Sequence, residues 1–187
     1  MGVDFEGDRQ QLEQDRREAH ERVRSKPRVG DRTEIVAVCV SAGKGTVKTP
    51  VPEGELVVGH GLAGDAHAGT WHRQVSLLST SSIDKMRALD LKVDEGSFAE
   101  NLTVRDYEVY RLPVGTVLRV GRDAAELEVT QIGKECHHGC DIFQQVGVCV
   151  MPKEGIFARV LKGGKVRAGD AVEVIWLGSG SFEEERP

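Results

Sequence analysis

The residues best suited to chemistry lie in one short segment, residues 134–140. It reads Lys-Glu-Cys-His-His-Gly-Cys, which places two thiols and two imidazoles within five residues. Because the chain has only four cysteines and six histidines, this clustering is pronounced. Thiolates attack electrophiles, carry sulfur and bind soft metals. The segment therefore predicts a reactive thiol or a metal site, against the alternative that its cysteines are structural.

Cys136 is the first candidate for the reactive thiol. Positive charge from Lys134, His137 and His138 would stabilise its thiolate form. The apolar strand predicted at residues 127–132 would deliver the thiol to a loop, where functional residues are often found.

Cys140 lies four residues after Cys136, so the two sulfurs would share a face if the segment turns helically. The pair could also hold zinc, with Cys149 as a further ligand, although zinc sites usually combine two such closely spaced pairs. Cys39 and Cys149 lie in apolar runs and are predicted to be small core residues. A reactive thiol, a zinc site and a structural role therefore all stay open on local sequence alone.

A glycine-rich segment at residues 64–73 is the second candidate site. Gly64 and its neighbours would let backbone amides approach a ligand, and Arg73 offers a forked donor for phosphate or carboxylate. His67 and His72 could bind metal or donate hydrogen bonds. Asp65 lies two residues before His67 in the same segment. The alternative is an ordinary loop in which Arg73 pairs with an acid, since the segment has neither phosphate-loop nor dinucleotide spacing.

A third segment, residues 96–103, places Glu100 and Asn101 between apolar Phe98 and Leu102. At least one of these two polar side chains should be buried, and a buried polar group needs partners. We expect Glu100 to pair with Arg73 or a histidine and to organise the fold rather than to act on substrate.

Composition limits the classes of protein. The chain has 187 residues, 39% of them hydrophobic and 29% charged, and a net charge of −5. These values predict one globular domain, and the negative charge argues against nucleic-acid binding. No apolar run suits a membrane span, and no secretory signal begins the sequence. Four cysteines in that setting favour a cytoplasmic protein with free thiols.

Short β-branched runs and frequent glycines predict a mainly β fold with a few short helices, arranged as a partly closed barrel. One helix should follow residue 80, capped by Ser81, and residues 156–166 should form a hairpin. We divide the chain into a charged arm at residues 1–33, a barrel domain at 34–176 and a polar tail at 177–187. The arm could pack on a second copy of the chain as a homodimer.

The three segments, in this order, resemble the MOSC domain, named for the C-terminal domain of molybdenum cofactor sulfurase. The resemblance rests on Gly-Asp-x-His-x-Gly at 64–69, Arg-Gln-Val at 73–75, Gly-x-Phe-x-Glu-Asn-Leu at 96–102 and glycines 115 and 121, and it ends at Cys136. Many relatives have proline before the cysteine, where this chain has Glu135. Residues 136–140 and 151–157 are similar to a small stand-alone branch associated with molybdopterin biosynthesis.

The resemblance implies a barrel-like fold and a role in sulfur or molybdenum cofactor chemistry. It implies that Cys136 carries sulfur as a persulfide or coordinates molybdenum. From thiol chemistry, rather than from the resemblance, we expect that Cys140 could resolve such a persulfide by attacking it. It also implies molybdenum cofactor (molybdopterin) binding by residues of the other two segments, namely Gly64, Asp65, His67, His72, Arg73, Glu100 and Asn101.

We expect this chain to lack the pyridoxal-phosphate domain of the full sulfurase, and so we expect no pyridoxal phosphate on this chain alone. Sulfur would come from a separate donor such as a cysteine desulfurase, and the acceptors would be molybdenum cofactor biosynthesis proteins or molybdoenzymes. A cofactor-binding module that transfers no sulfur and a zinc-stabilised structural domain are the two alternatives.

Overall fold

The structure is a computed structural model that describes residues 26–135 and 141–180. The predicted thiol segment at 136–140, most of the charged arm and the last seven residues lie outside this description. The described residues comprise eleven strands, three short helices and a 3-10 turn at Val109–Arg111.

The strands are β1 Arg32–Val40, β2 Thr49–Val51, β3 Gly54–Val57, β4 Gly61–Leu62, β5 Val75–Ser79, β6 Leu102–Val104, β7 Val117–Val120, β8 Ala125–Ile132, β9 Ile156–Lys162, β10 Gly164–Val166 and β11 Ala171–Trp176. The helices are α1 Thr80–Arg87, α2 Asp141–Val146 and α3 Met151–Glu154.

Seven strands close into a barrel in the order β1, β11, β7, β8, β9, β5, β6 and back to β1. Neighbouring strands are antiparallel except for β5 and β6, which are parallel. Strand β2 pairs with β1 outside this ring, and β10, β3 and β4 form a separate small sheet. The predicted mainly β barrel is confirmed, and the pairing of β1 with β11 closes it, which removes exposed edges.

Strand β5 shows how two hydrophobic clusters share one wall of the barrel. All five of its residues are buried, because one face points into the barrel and the other is covered by α1 and α3. Leu77 belongs to the inner cluster, whereas Leu78 packs with Ile83, Met86 and Met151 on the outside. The strand that leads out of the Gly64–Arg73 segment is therefore held on both faces.

Two predicted details are wrong. Helix α1 is capped by Ser79 rather than Ser81: the Ser79 hydroxyl accepts the Ser81 amide at 3.2 Å. Strand β10 does not form a hairpin with β9; it pairs with β3, about a hundred residues earlier in the chain. Among the described residues, no helix is both long and apolar enough to cross a membrane.

Candidate functional site

A buried ion pair between Lys48 and Asp65 lies at the centre of the described site. Their side chains are 1% and 0% exposed, respectively, and the Lys48 ammonium donates directly to the Asp65 carboxylate. Lys48 Nζ also lies 3.3 Å from Nδ1 of His67. The carboxylate further accepts the backbone amides of Ser41 at 3.0 Å and His67 at 3.1 Å. The cluster thus joins the end of β1 to the segments before β2 and after β4.

Burial and neighbouring charges together set the pKa values of Asp65 and His67. Burial alone would raise the pKa of Asp65, but hydrogen bonds from Lys48 and from the Ser41 amide outweigh burial and keep that pKa below its ordinary value. Burial, followed by the positive charge of Lys48, lowers the pKa of His67, and Lys134 and Lys44 add to this effect. His67 is therefore a neutral imidazole at neutral pH, within the electrostatic reach of three lysines.

The loop around Asp65 is shaped by its own backbone hydrogen bonds. Gly64 has φ +77°, a left-handed conformation that glycine adopts without strain. The amides of residues 65–69 all bond inside the protein, to Leu62, Ser41, Asp65, Asp65 and His60, respectively. Because these donors are used, side chains rather than amides must supply most of the contacts to any anion bound here.

Arg73 is a second cationic group, and it is held by aromatic rings. Its guanidinium lies 4.5 Å from the centroid of the Trp71 ring and 5.7 Å from that of Phe157. Its Nε is buried and has no hydrogen-bond partner among the described residues. The acidic partner expected for Arg73 is not found in the described part of the chain, so an unsatisfied donor remains on this side chain.

His72 connects the glycine-rich segment to strand β8. Its Nε2 lies 3.1 Å from the Gln131 side-chain oxygen, and its carbonyl accepts the Thr130 hydroxyl at 2.6 Å. Gln131 in turn donates to the carbonyl of Gly133 at 2.6 Å. The residues that precede the predicted thiol segment are therefore tied to the Arg73 side of the site.

Glu100 does not pair with Arg73 or with a histidine, contrary to expectation. Its fully buried carboxylate accepts the amides of Gly96 at 2.6 Å and Phe98 at 3.1 Å, and the Thr103 hydroxyl at 3.0 Å. Burial raises the pKa of Glu100 despite these hydrogen bonds. Because the Gly96 carbonyl accepts the Lys48 amide at 2.9 Å, Glu100 supports the backbone that presents Lys48.

Asn101 is also structural in its contacts. Its side-chain oxygen accepts the amide and hydroxyl of Ser76, and its side-chain nitrogen donates to the Cys39 carbonyl at 3.1 Å. These bonds tie β1 to β5 beside β6. Asn101 therefore fixes the strands that flank the site, and its predicted role in cofactor binding stays a prediction.

The structure brings Asp65 and His67 together and places the charge of Lys134 near them. It also adds Lys48, which the sequence did not single out. The sole signal was a lysine in the otherwise uncharged run at residues 47–51. The predicted catalytic residues Cys136, His137, His138 and Cys140 lie outside the described residues, and their roles stay predictions.

A groove of about 830 Å³ borders the site at Lys134 and Glu135. Its apolar lining comes from α1 and from the chain around α2 and α3. It includes Cys149, which is partly buried and packs against the outer hydrophobic cluster. The described residues hold no group of three or more histidine, cysteine or acidic side chains that could bind a metal. The zinc hypothesis therefore rests on Cys136 and Cys140, and metal analysis of the purified protein tests it.

Comparisons with known proteins agree with this architecture. The YuaD protein of Bacillus subtilis superposes with a TM-score of 0.64 at 17% identity, covering 77% of this chain and 96% of its own. YiiM of Geobacillus stearothermophilus gives 0.60 at 18% identity, covering 80% and 78%. YiiM of Escherichia coli gives 0.55 at 20% identity, covering 80% and 72%. No curated protein matches the sequence significantly.

The closed barrel, with a buried Lys48–Asp65 ion pair and a partly exposed His67 beside a glycine-rich loop, defines a small mainly β domain. The family model of the MOSC domain matches residues 64–173, which is more than half of the chain. The chain belongs to the MOSC domain family, a family associated with molybdenum cofactor-related sulfur and binding functions.

Proposed function

We propose that this protein is a sulfur carrier or sulfur-transfer domain in molybdenum cofactor metabolism, and that Cys136 is its sulfur-bearing thiol. The observation that carries the proposal is the concentration of positive charge next to the thiol segment. Lys134, two residues before Cys136, lies near enough to His67 to lower its pKa together with Lys48 and Lys44. Lys134 and Lys44 lie outside the buried Lys48–Asp65 ion pair, and their positive charge would stabilise a thiolate and attract anionic ligands.

The proposed step is a thiol–disulfide exchange. The Cys136 thiolate attacks the terminal sulfur of a persulfide on the donor, forming a new sulfur–sulfur bond and breaking the bond in the donor. The donor cysteine leaves as a thiolate with the electron pair, so no external oxidant is needed. Cys140 could then attack Cys136 Sγ, forming a disulfide and releasing hydrosulfide to an acceptor.

The donor set also fits the phosphate of a pterin cofactor. Arg73 carries a buried, unsatisfied Nε, and His67, Lys44 and Lys134 supply further positive or donating groups. These residues would hold the anionic end of molybdenum cofactor, while His72 and Asp65 position the loop. When bound, the cofactor would supply the molybdenum centre on which sulfur is placed.

A cofactor-binding module that transfers no sulfur is the second candidate, and the unsatisfied Arg73 Nε favours it. In that case molybdenum cofactor would bind to the wild-type protein, binding would be lost in Arg73→Ala, and no persulfide would form. Either role suits a cytoplasmic protein. Its partners would be a cysteine desulfurase and molybdenum cofactor biosynthesis proteins or molybdoenzymes. The protein would act as a monomer or as a homodimer.

Sulfur loading followed by intact-mass measurement separates the two functions. The protein is incubated with a cysteine desulfurase and cysteine, and its mass is compared with that of a sample without desulfurase. We expect wild-type protein to gain one sulfur atom and Cys136→Ala to gain none. Cys140→Ala is the matched control, and it should gain sulfur and retain it for longer. No gain in wild type, or an equal gain in Cys136→Ala, would contradict the proposal.

A further inference from the structure

The contact between Lys48 and His67 restricts where the proton of the imidazole can lie. A lysine ammonium has three donors and no acceptor. Lys48 Nζ directs donors to the Asp65 carboxylate and to His67 Nδ1, 3.3 Å away. For the second contact to be a hydrogen bond, Nδ1 must offer its lone pair. The proton of a neutral His67 ring then has to be on Nε2.

The alternative tautomer has no good partner in the cluster. A proton on Nδ1 would face the Lys48 ammonium, which is already fixed against Asp65. The nearer Asp65 oxygen is 3.8 Å from Nδ1, too far for a hydrogen bond. The Asp65 carboxylate is also occupied by Lys48 and by the amides of Ser41 and His67.

Hydrogen bonds of the His67 main chain also fix the position of its ring. The His67 amide donates to Asp65, and its carbonyl accepts the Trp71 indole at 3.0 Å. The side chain is 31% exposed. The charged groups that act on the ring are Lys48, Asp65, Lys134 and Lys44, so three of the four are cations. A second positive charge on the imidazole is disfavoured in this setting.

We infer that Lys48 is a positioning residue that fixes His67 as the neutral Nε2–H tautomer, so that His67 offers a single N–H donor to an anionic oxygen. The imidazole then does not serve as a metal ligand, because its one lone pair is engaged by Lys48. This inference deepens the proposed function, on which its choice of an oxyanion ligand rests. It also decides between the two roles that the sequence left open for His67, metal ligand or hydrogen-bond donor.

Nitrogen-15 NMR of the imidazole rings in ligand-free, full-length protein tests the tautomer directly. The spectrum is recorded above the ordinary histidine pKa of about 6.5, and the His67 signals are assigned by their loss in His67→Gln. We expect a protonated Nε2 and an unprotonated Nδ1 in wild type. A proton on Nδ1 in wild type would overturn the inference, and this measurement needs no variant of Lys48.

A pair of lysine variants tests whether Lys48 is the cause. Lys48→Met removes the ammonium at Nδ1 and should shift the tautomer toward Nδ1–H, next to the uncompensated Asp65. Lys44→Met removes an exposed positive charge that also acts on His67, and it should leave the tautomer unchanged. An unchanged tautomer in folded Lys48→Met would overturn the positioning role. If Lys48→Met does not fold, a proton on Nδ1 in the wild-type spectrum would still overturn the inference.

Titration with inorganic phosphate tests the donor role. We expect the His67 Nε2–H resonance to move with phosphate while its proton is retained, and we expect His67→Gln to bind phosphate more weakly, as followed by the neighbouring resonances. No movement at phosphate concentrations that perturb neighbouring resonances would overturn the donor role. None of these readouts involves sulfur, so failure of sulfur loading and failure of this inference remain distinguishable.

Discussion

At the scale of single residues, the two cations Lys48 and Arg73 differ in whether their donors are used inside the protein. Lys48 is fully buried and committed to Asp65, whereas Arg73 keeps an unsatisfied donor between two aromatic rings. Lys48 therefore acts on its neighbours, and Arg73 remains available to a ligand. Residue type alone does not reveal this difference, since both are cationic side chains.

Arg73→Lys should weaken binding of the phosphate-bearing cofactor while leaving the fold intact. Lysine keeps the charge but lacks the planar fork, the Nε donor and the stacking on Trp71. Loss of one hydrogen bond to a charged group corresponds to a Kd increase of roughly tenfold to a hundredfold. Equilibrium dialysis with purified pterin cofactor measures the change, and Lys162→Met, on an exposed strand end, is the control. Equal affinity in wild type and Arg73→Lys would rule out this role.

Cys39 should be unreactive in the native protein. Burial, reinforced by the charges of Glu100 and Glu95, raises the pKa of Cys39 to about 12, and its side chain is 0% exposed. Iodoacetamide should therefore label Cys39 only after unfolding, as followed by peptide mass spectrometry. Labelling of native protein at the rate found in denaturant would show that this thiol is accessible and could compete with Cys136.

At the scale of elements, the Lys48–Asp65 pair fastens three parts of the chain at the end of β1. Lys48 precedes β2, Asp65 follows β4, and Ser41 follows β1 directly. The Glu100 loop contacts the backbone of Lys48 through Gly96, whose carbonyl accepts the Lys48 amide. Gly96 has a φ of +88° and lies so close to the Lys48 carbonyl that a Cβ would not fit. The site is thus built on strand ends rather than on a long free loop.

Breaking this ion pair from one side should be costly. Lys48→Met or Asp65→Asn alone should reduce the free energy of unfolding by about 3–5 kcal/mol, because each leaves an uncompensated buried charge. The double variant should lose less than the sum of the two, since no unpaired charge remains. Urea denaturation of the wild type, the two single variants and the double variant gives the four free energies of a double-mutant cycle. Strictly additive losses would mean that the two side chains do not interact.

Most of the barrel strands could be predicted because their signal is local. Runs such as residues 34–40 and 171–175 are β-branched and bounded by turn residues, and β1 and β11 occupy them. The pairing of β10 with β3 could not be predicted, because nothing near Gly164 indicates a partner so distant in sequence. The Ser79 cap was missed for a different reason: several neighbouring hydroxyls can cap a helix, and the end of β5 selects among them.

The site was predictable only in part, for a related reason. Asp65 and His67 were recognisable from their spacing in a glycine-rich segment. The burial of Lys48 depends on a carboxylate 17 residues away, and burial of a lysine is not expected without such a partner. The partners of Glu100 are mainly backbone amides, which carry no sequence signal.

At the scale of the whole molecule, the closed barrel provides a rigid wall for a site that combines distant segments. His72 and Gln131 connect the glycine-rich segment to β8, and β8 leads to the thiol segment. A groove lined in part by Lys134 lies beside this region. We therefore propose that one cationic site serves both anion binding and sulfur transfer.

Persulfide occupancy measured separately at each of the four cysteines tests the central claim most directly. One sample of protein, loaded with sulfur by a cysteine desulfurase, is treated with a persulfide-selective label, digested and analysed by mass spectrometry. Cys39, Cys140 and Cys149 serve as internal references for Cys136. We predict that the label is concentrated on Cys136, with Cys39 unlabelled. Equal labelling of several cysteines, or labelling elsewhere with Cys136 unmodified, would contradict the account.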